Sequence, residues 1–318
     1  MILLEMLETI LPVTLFWAAP LIFTALGGVF SERSGVVNIG LEGLMVIGAF
    51  SAIVFNLTFA DTFGGATPWV SLSVAMFIGA LFALIHAVVS ITFRADQVVS
   101  GVALNFLALG VSIFLVKQWY GKGQTDMVDA PFYSTSIPVL GDIPIVGDML
   151  FSSYATSYIA ILLAFVVWYV VYKTPFGLRL RSVGEHPMAS DTNGIKVERM
   201  RYIAVILSGA FAGVGGGVFA LTISQNFAST TISGQGFMAL AAMIFGKWHP
   251  LGAMGAALFF GFAQSLSDVG SSLPLLENVP SVYLLIAPYV LTILALAGFI
   301  GRADAPKALN IPYVKGSR

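Results

Sequence analysis

The sequence predicts an all-α, polytopic membrane protein of about nine transmembrane helices that form one domain over residues 1–318. Hydrophobic residues make up 58% of the chain and charged residues 10%, whereas a soluble domain has roughly 45–50% apolar and about 25% charged residues. Long stretches also lack any charge, and a helix of about 20 apolar residues spans the hydrocarbon core of a bilayer. Lipid is therefore the expected solvent for most of the chain.

Nine apolar windows are candidates for spans, and charges, prolines and glycines bound them. The windows are residues 9–30, 36–58, 68–92, 97–116, 153–172, 202–223, 235–246, 250–269 and 281–300. The seventh is too short for a straight helix across about 30 Å of hydrocarbon, so a broken or half-inserted helix is expected there. The residues before the first window include Glu5 and Glu8 and no Lys or Arg, which is the wrong charge for a signal peptide and indicates a retained helix.

The basic residues predict the orientation of the chain, because cytoplasmic loops hold an excess of Lys and Arg. If the loop 173–201 is cytoplasmic, all of the 15 Lys and Arg residues except Lys117 and Lys122 fall on the cytoplasmic side. This arrangement places the N-terminus outside and the C-terminus in the cytoplasm. A chain with one span more or fewer would lose this asymmetry, so the charges support the count as well.

Composition and missing motifs exclude several functions. A net charge of −1 argues against a nucleic-acid partner, which needs a basic surface. The absence of cysteine excludes disulfides, thiolate metal sites and Cys nucleophiles. The sequence contains no G-x-x-x-x-G-K-[ST], H-E-x-x-H or G-x-S-x-G motif. We therefore expect no catalytic residue, metal or cofactor on this chain, and we expect the glycine run at 213–217 to allow close helix packing.

Two loops are long enough to have functions of their own. The acidic stretch 117–152, which contains Pro131, Pro138 and Pro144, is either a simple external connector or a docking surface for an external partner. The cytoplasmic loop 174–200 contains signals for two short helices. One starts at Thr174-Pro175 and ends at Gly184, and the other runs from His186-Pro187 to Asn193-Gly194. This loop is either a lever on the membrane face or a basic anchor.

A weak internal repeat links two of the windows. Residues 42–49 read EGLMVIGA and residues 235–242 read QGFMALAA, so both start with an acid or amide followed by Gly, a large apolar residue and Met. The predicted orientation makes the first copy enter from the cytoplasm and the second from outside. Such an inverted repeat is typical of transporters, with the substrate path at the repeat interface. A chance match in an apolar sequence is the alternative.

Polar side chains inside spans are the candidates for the walls of a substrate path, because they are costly in lipid and usually face an interior cavity. They are Asn38, Glu42, Asn105, Gln225, Asn226, Gln235 and Gln264. Glu42 is either a substrate or gating contact or a structural carboxylate that caps a helix break near Gly40 and Gly43. His86 has no second His or acid at helical spacing, so a structural hydrogen bond is expected rather than a metal site or a proton relay.

Two motifs resemble a known family. Residues 31–43 read SERSGVVNIGLEG, and residues 174–195 contain TPFGLR, GEHP and DTNGI. This pattern is similar to permeases of bacterial ABC importers of the branched-chain amino acid and simple sugar superfamily. The first motif looks most like the nucleoside-uptake branch. The sugar branch usually has Gly-Ile-Asp-Leu where this chain has VNIG at 37–40, a departure that disfavours ribose-like sugars.

The resemblance implies a type II importer-like permease in the bacterial cell membrane, surrounded by lipid. Its expected partners are a second, paralogous permease, an ATP-binding cassette subunit that uses ATP and Mg²⁺, and an external substrate-binding lipoprotein. The 174–200 loop would couple to the ATPase through Gly177, Arg179, Arg181, Gly184, Glu185, His186 and Asp191. The implied substrates are nucleosides, with simple sugars or branched-chain amino acids as alternatives. An ion-coupled secondary transporter is the remaining alternative, although Glu42 and His86 provide few intramembrane ionisable groups for it.

Overall fold

The structure, a computed structural model, describes residues 2–136, 141, 143, 146–273, 279–280, 282–284, 286, 290 and 304–315. These residues are mostly helical. The helices are α1 (Ile2–Arg33), α2 (Leu41–Phe63), α3 (Thr67–Ala87), α4 (Gln97–Tyr120), α5 (Val146–Phe151), α6 (Ala155–Lys173), α7 (Pro175–Glu185), α8 (Pro187–Thr192), α9 (Val197–Phe219), α10 (Gln235–Phe245) and α11 (Pro250–Val269). Two short antiparallel strands, β1 (Ser134–Ser136) and β2 (Ser152–Tyr154), pair with each other.

Five segments of the described residues are long and apolar enough to cross a membrane: Met6–Arg33, Leu41–Thr92, Gln97–Tyr120, Ala155–Lys173 and Val197–Ser224. The second of them contains α2 and α3, which a 3-10 turn joins. The first six predicted windows therefore coincide with helices. α10 has 11 residues, which confirms that the seventh window holds only a short helix. The ninth window lies largely outside the described residues, so the count of nine stays a prediction.

The predicted start of the second span at residue 36 is wrong. α2 begins at Leu41, because contacts from other helices hold the preceding residues in an irregular conformation. His86 lies 3.0 Å from the Val37 carbonyl oxygen, and the Val37 amide donates to Gln97 Oε1 at 2.7 Å. These two partners satisfy backbone groups that a helix would otherwise use, and polar backbone groups in a membrane protein must find such partners. His86 also contacts Ser100 Oγ at 2.9 Å, so it makes the kind of structural hydrogen bond that the sequence predicts.

The ends of the long helices gather at two faces of the bundle. At one, which we call the α7 face, the Arg33 side chain at the end of α1 donates to the carbonyl oxygens of Lys247 and Trp248, between α10 and α11. α7 and α8 lie at this face. At the opposite face, Thr125 donates to the Phe227 carbonyl oxygen. Residues 121–136 and the segment after α9 therefore meet there.

α9 packs in the middle of the bundle through its glycines. A Cβ atom added to Gly209 would lie 2.4 Å from the Gly79 carbonyl oxygen of α3, and one added to Gly213 would lie 2.3 Å from that of Ala75. On another side, a Cβ on Gly216 would lie 2.0 Å from the Met45 carbonyl oxygen of α2. The expectation that the glycine run allows close helix packing is confirmed, because the backbones of three helices meet at these residues.

Gly216→Ala is expected to destabilise the protein, although alanine is the better helix former by about 1 kcal/mol. The added methyl group would overlap the Met45 backbone, which cannot rotate away, and overpacking of this kind costs roughly 1–3 kcal/mol or more. Thermal unfolding in detergent measures the effect. Gly255→Ala in α11 is the matched control, because nothing lies within 4 Å of its added Cβ, and it should leave the stability unchanged or raise it. Equal stabilities of the two variants would contradict the packing.

Candidate functional site

α2 and α10 both begin inside the bundle rather than at one of its faces. The start of α2 contacts Asn105, the ninth residue of α4, which lies about 12 Å along that helix from its first residue. α10 ends near the α7 face, and its 11 residues place its start about 16 Å deeper. We call the meeting point of these two helix starts, residues 40–43 and 234–236, the helix-start junction.

Glu42 caps the start of α10. Its Oε1 accepts a hydrogen bond from the Gly234 amide at 2.7 Å, and its Oε2 accepts one from the Gly236 amide at 2.6 Å. The first amides of a helix lack intrahelical partners, and the helix dipole favours a negative charge there. The carboxylate thus makes a structural contact, but it caps the distant helix α10 and not the break near Gly40 and Gly43.

The two helix starts touch at backbone level. A Cβ atom on Gly236 would lie 2.4 Å from Glu42 Cα and 2.5 Å from Glu42 N. No side chain fits between these atoms, so the glycine allows the carboxylate to reach the amides of α10. Glu42 is only half-buried, so the junction borders a less enclosed region.

Asn105 provides the corresponding cap for α2. Its Oδ1 accepts from the Gly43 amide at 2.7 Å, and its Nδ2 donates to the Ile39 carbonyl oxygen at 3.1 Å. One amide side chain therefore satisfies a donor and an acceptor on the two sides of the helix start. The sequence identified Asn105 as a polar residue in a span, but no local signal indicated that it would cap α2.

The other candidates occupy different places. Asn38 is fully buried, and its Nδ2 donates to Ser208 Oγ of α9 at 2.9 Å. Gln235, half-buried, is the first residue of α10 and so lies at the junction. Gln225 and Asn226 lie near the opposite face, where the Val128 amide donates to the Gln225 carbonyl oxygen at 2.8 Å. Gln264, on α11, is also half-buried.

The structure therefore brings Glu42, Asn105 and Gln235 together and leaves Gln225, Asn226 and Gln264 elsewhere. Beside the junction the Phe237 side chain is exposed, at 48%, whereas Phe106, exposed at 72%, lies on the side of α4 away from its buried residues Leu104 and Ala108. Within the described ranges, no group of three His, Cys, Asp or Glu side chains is arranged to hold a metal ion. The junction offers fixed hydrogen bonds and aromatic surface, which suit the passage of a polar solute better than a chemical reaction.

α7 and α8 form a second surface at the α7 face. α7 ends at Glu185, one residue beyond the predicted Gly184, and α8 spans Pro187–Thr192, so both short helices are confirmed. Gly177 and Gly184 face inward, because added Cβ atoms would lie 2.2 Å from the carbonyl oxygens of Val171 and Arg33, respectively.

The remaining coupling candidates divide by exposure. Arg181 Nε donates to the Val171 carbonyl oxygen at 3.1 Å, so this side chain holds α7 on α6. Arg179 and His186 are exposed, and Glu185 and Asp191 are half-buried. Arg179 also lines a cleft of about 850 Å³ with Lys196 and Arg199. The cleft beside α7 is thus basic, whereas the outward side of α7–α8 itself carries charges of both signs.

Apolar helices of membrane-spanning length, two helix starts inside the bundle and a separate surface of short helices together define a multi-pass membrane transport protein. The model of the family described as "Branched-chain amino acid transport system / permease component" matches residues 11–296. The chain belongs to this family of permeases.

Three relatives show which members of the family the chain is similar to. The chain is 66% identical to the guanosine ABC transporter permease protein NupQ of Bacillus subtilis, over 99% of both chains. It is 50% identical to the nucleoside ABC transporter permease protein NupC of Lactococcus lactis, over 97% of this chain and 98% of that one. A second guanosine permease protein of Bacillus subtilis, NupP, is 26% identical over 86% of this chain and 76% of its own.

Proposed function

We propose that this chain is a permease subunit of an ATP-driven importer that moves nucleosides across the bacterial cell membrane by alternating access. The observation that carries the proposal is the 66% identity to a guanosine permease over almost the whole length of both chains. The nucleoside permease at 50% identity supports the same substrate class.

In this proposal the α7 face is cytoplasmic and the N-terminus is external. The excess of Lys and Arg that the sequence places on this side supports that orientation. We also propose nine spans and an inverted repeat that relates α2 to α10, in the manner of a type II importer. The repeat is supported by the contact between the two copies, because Glu42 of the first copy caps the helix start of the second. An interface between inverted repeats is where transporters place the substrate path.

ATP and Mg²⁺ would be used by a separate ATP-binding cassette subunit, since this sequence has no phosphate-binding loop motif. That subunit would dock on the 174–200 loop through its outward-facing residues Arg179, Glu185, His186 and Asp191. The inward-facing Gly177 and Gly184 and the bound Arg181 would transmit its movement, because they fix α7 on α1 and α6. Closure of the ATPase would then move the two halves of the permease between two arrangements of their contacts.

The path would run past the helix-start junction. Both carboxylate oxygens of Glu42 and the side-chain oxygen of Asn105 already accept backbone hydrogen bonds. Gln235 and the exposed ring of Phe237 are therefore better placed to contact a nucleoside, whose base stacks on aromatic faces. Gln225, Asn226 and Gln264 would lie along the outer part of the path.

A second, paralogous permease would complete the path. Phe106 is large, apolar and exposed in the single chain, as expected of a side chain that faces a partner subunit. The two guanosine permeases of Bacillus subtilis, one close to this chain and one distant, support a pair of unlike permeases. An external substrate-binding lipoprotein would dock at the opposite face, on the 117–152 loop.

Nucleoside uptake into liposomes that contain the assembled transporter is the experiment that tests the proposal. We expect concentrative uptake of guanosine with ATP, and none when the ATPase subunit carries a substitution of its phosphate-binding lysine. The same liposomes with a proton gradient and no ATP are the control for ion coupling. Uptake that persists on the gradient alone would contradict an ATP-driven importer.

A competition assay in these liposomes tests the substrate class. An excess of unlabelled adenosine or uridine should reduce uptake of labelled guanosine, whereas ribose and leucine should leave it unchanged. Inhibition by ribose or leucine, without inhibition by a second nucleoside, would contradict nucleosides as the substrates.

A further inference from the structure

Residues 304–315, which we call the C-terminal strap, pack against the α7 face. Ala308 and Tyr313 of the strap are buried, at 4% and 8% exposure. A turn shapes the segment, since the Leu309 amide donates to the Pro306 carbonyl oxygen at 3.0 Å. This segment belongs neither to the helix-start junction nor to the surface formed by α7 and α8. The motifs in the sequence do not predict its position.

The strap joins elements that are far apart in the chain. The Ala308 amide donates to the Gly184 carbonyl oxygen at the end of α7, at 2.9 Å. Arg201 Nη1 of α9 donates to the Ile311 carbonyl oxygen of the strap, at 3.0 Å. The Ala308 carbonyl oxygen also packs on Gly35, where an added Cβ would lie 3.0 Å from it. One segment thus contacts α7, α9 and the connection between α1 and α2.

Arg201 differs from the other residues of this contact because it carries a charge and is buried. It is 1% exposed, and its Nε and Nη2 atoms have no hydrogen-bond acceptor among the residues that the structure describes. Within those same residues, the single ion pair is between Lys122 and Asp126, so no carboxylate pairs with Arg201. Burial of a charge without an opposite charge beside it costs several kcal/mol, which a residue needed only for packing would avoid.

Acidic side chains of the 174–200 loop lie near Arg201 and the strap residue Tyr313. Burial and the carboxylates of Asp191 and Glu198 raise the pKa of the Tyr313 phenol, whereas Arg201 lowers it. Asp191 of α8 and Glu198 and Arg201 of α9 therefore lie close enough to the strap to act on the same tyrosine. A movement of α8 would change the surroundings of Tyr313 in the strap.

We propose that the C-terminal strap, held by Arg201 and Gly184, transmits movement of α7–α8 to α9 and to the connection that leads into the helix-start junction. This inference rests on the proposed function, since it takes α7–α8 as the surface on which the ATPase acts. From Gly35 the chain continues to the start of α2. Arg201 lies on α9, whose Ser208 binds Asn38. Both routes from the strap lead to the junction.

The test measures ATP hydrolysed per nucleoside imported by the complete transporter in liposomes. Arg201→Leu removes the donor to Ile311, and Ala308→Pro removes the N–H that binds Gly184. Both variants should raise the ratio by about fivefold or more, the lower end of common energetic couplings between sites. Arg201→Lys keeps a donor and should restore part of the coupling. The control is Lys307→Leu, because Lys307 lies on the exposed side of the strap and its loss should leave the ratio unchanged.

Thermal unfolding of the same variants separates transmission from a merely structural role. Arg201→Leu replaces an unpaired buried charge by an apolar side chain, so its unfolding temperature should equal or exceed that of the wild type. A lower unfolding temperature together with an equal loss of hydrolysis and uptake would overturn the proposal. An unchanged ratio in both variants, with ATP-dependent uptake by the wild type, would overturn the proposed role of the strap. It would leave the proposed function intact. A wild type without nucleoside uptake would contradict the proposed function and the strap together.

Discussion

Glu42→Ala is expected to lower the free energy of unfolding by about 3 kcal/mol and to abolish uptake. The substitution removes both hydrogen bonds to the start of α10, from the Gly234 and Gly236 amides. A hydrogen bond to a charged group contributes about 1.5–3 kcal/mol, and the lower value applies because Glu42 is half-buried. Thermal unfolding in detergent and uptake in liposomes measure the two effects.

Glu42→Gln distinguishes the cap from a substrate contact. Both backbone groups that face Glu42 are N–H donors, so the NH₂ group of glutamine would oppose one of them. We therefore expect a free energy of unfolding between that of the wild type and that of Glu42→Ala. Asp61→Ala, which removes an exposed carboxylate from the same helix, is the control and should be neutral. A Gln variant with full stability and no uptake would indicate that Glu42 acts on the substrate instead.

Gly236→Leu is expected to prevent the assembly of the junction and to remove most of the folded, active protein. Its Cβ would lie 2.4 Å from Glu42 Cα and 2.5 Å from Glu42 N, so the backbones of α2 and α10 would have to separate. Overpacking against a movable side chain costs roughly 1–3 kcal/mol, and backbone atoms can relax less. The yield of monodisperse protein after detergent extraction and its unfolding temperature measure the effect.

Two comparisons make the Gly236 result specific. Gly110→Leu in α4 introduces the same side chain where nothing lies within 4 Å of the added Cβ, so it should leave extraction and unfolding unchanged. Adding Glu42→Ala to Gly236→Leu should not rescue the protein, because the nearest overlaps are with the Glu42 backbone. Rescue by Glu42→Ala would show that the carboxylate, and not the helix approach, limits the space at this position.

Local patterns in the sequence predicted much of the fold. The apolar windows located the long helices, because the length of an apolar run depends on bilayer thickness and not on contacts between helices. Pro175 and Pro187 marked the starts of α7 and α8 because proline suits the first helical position. The second window was placed five residues too early, because residues 36–40 are apolar enough to continue a span but are held by His86 and Gln97.

The candidate site was predicted less completely. Polarity inside spans was sufficient to single out Glu42, Asn105 and Gln235, since such residues are costly in lipid. The same criterion also selected Gln225, Asn226 and Gln264, which lie away from the junction. Polarity indicates that a side chain needs a partner but not which partner it finds.

The sequence by itself determined that this is a membrane protein of the permease family, where its main helices lie, and that α10 is short. Only the tertiary structure decided that Glu42 caps α10, that Asn105 caps α2, and that the C-terminal strap reaches Gly184. The physical reason is the distance along the chain. The residues that Glu42 binds are 192 and 194 positions away. The free amides at any helix start can donate hydrogen bonds to any nearby carboxylate. Close packing of the helices, made possible by Gly236 and the glycines of α9, selects the pair that meets.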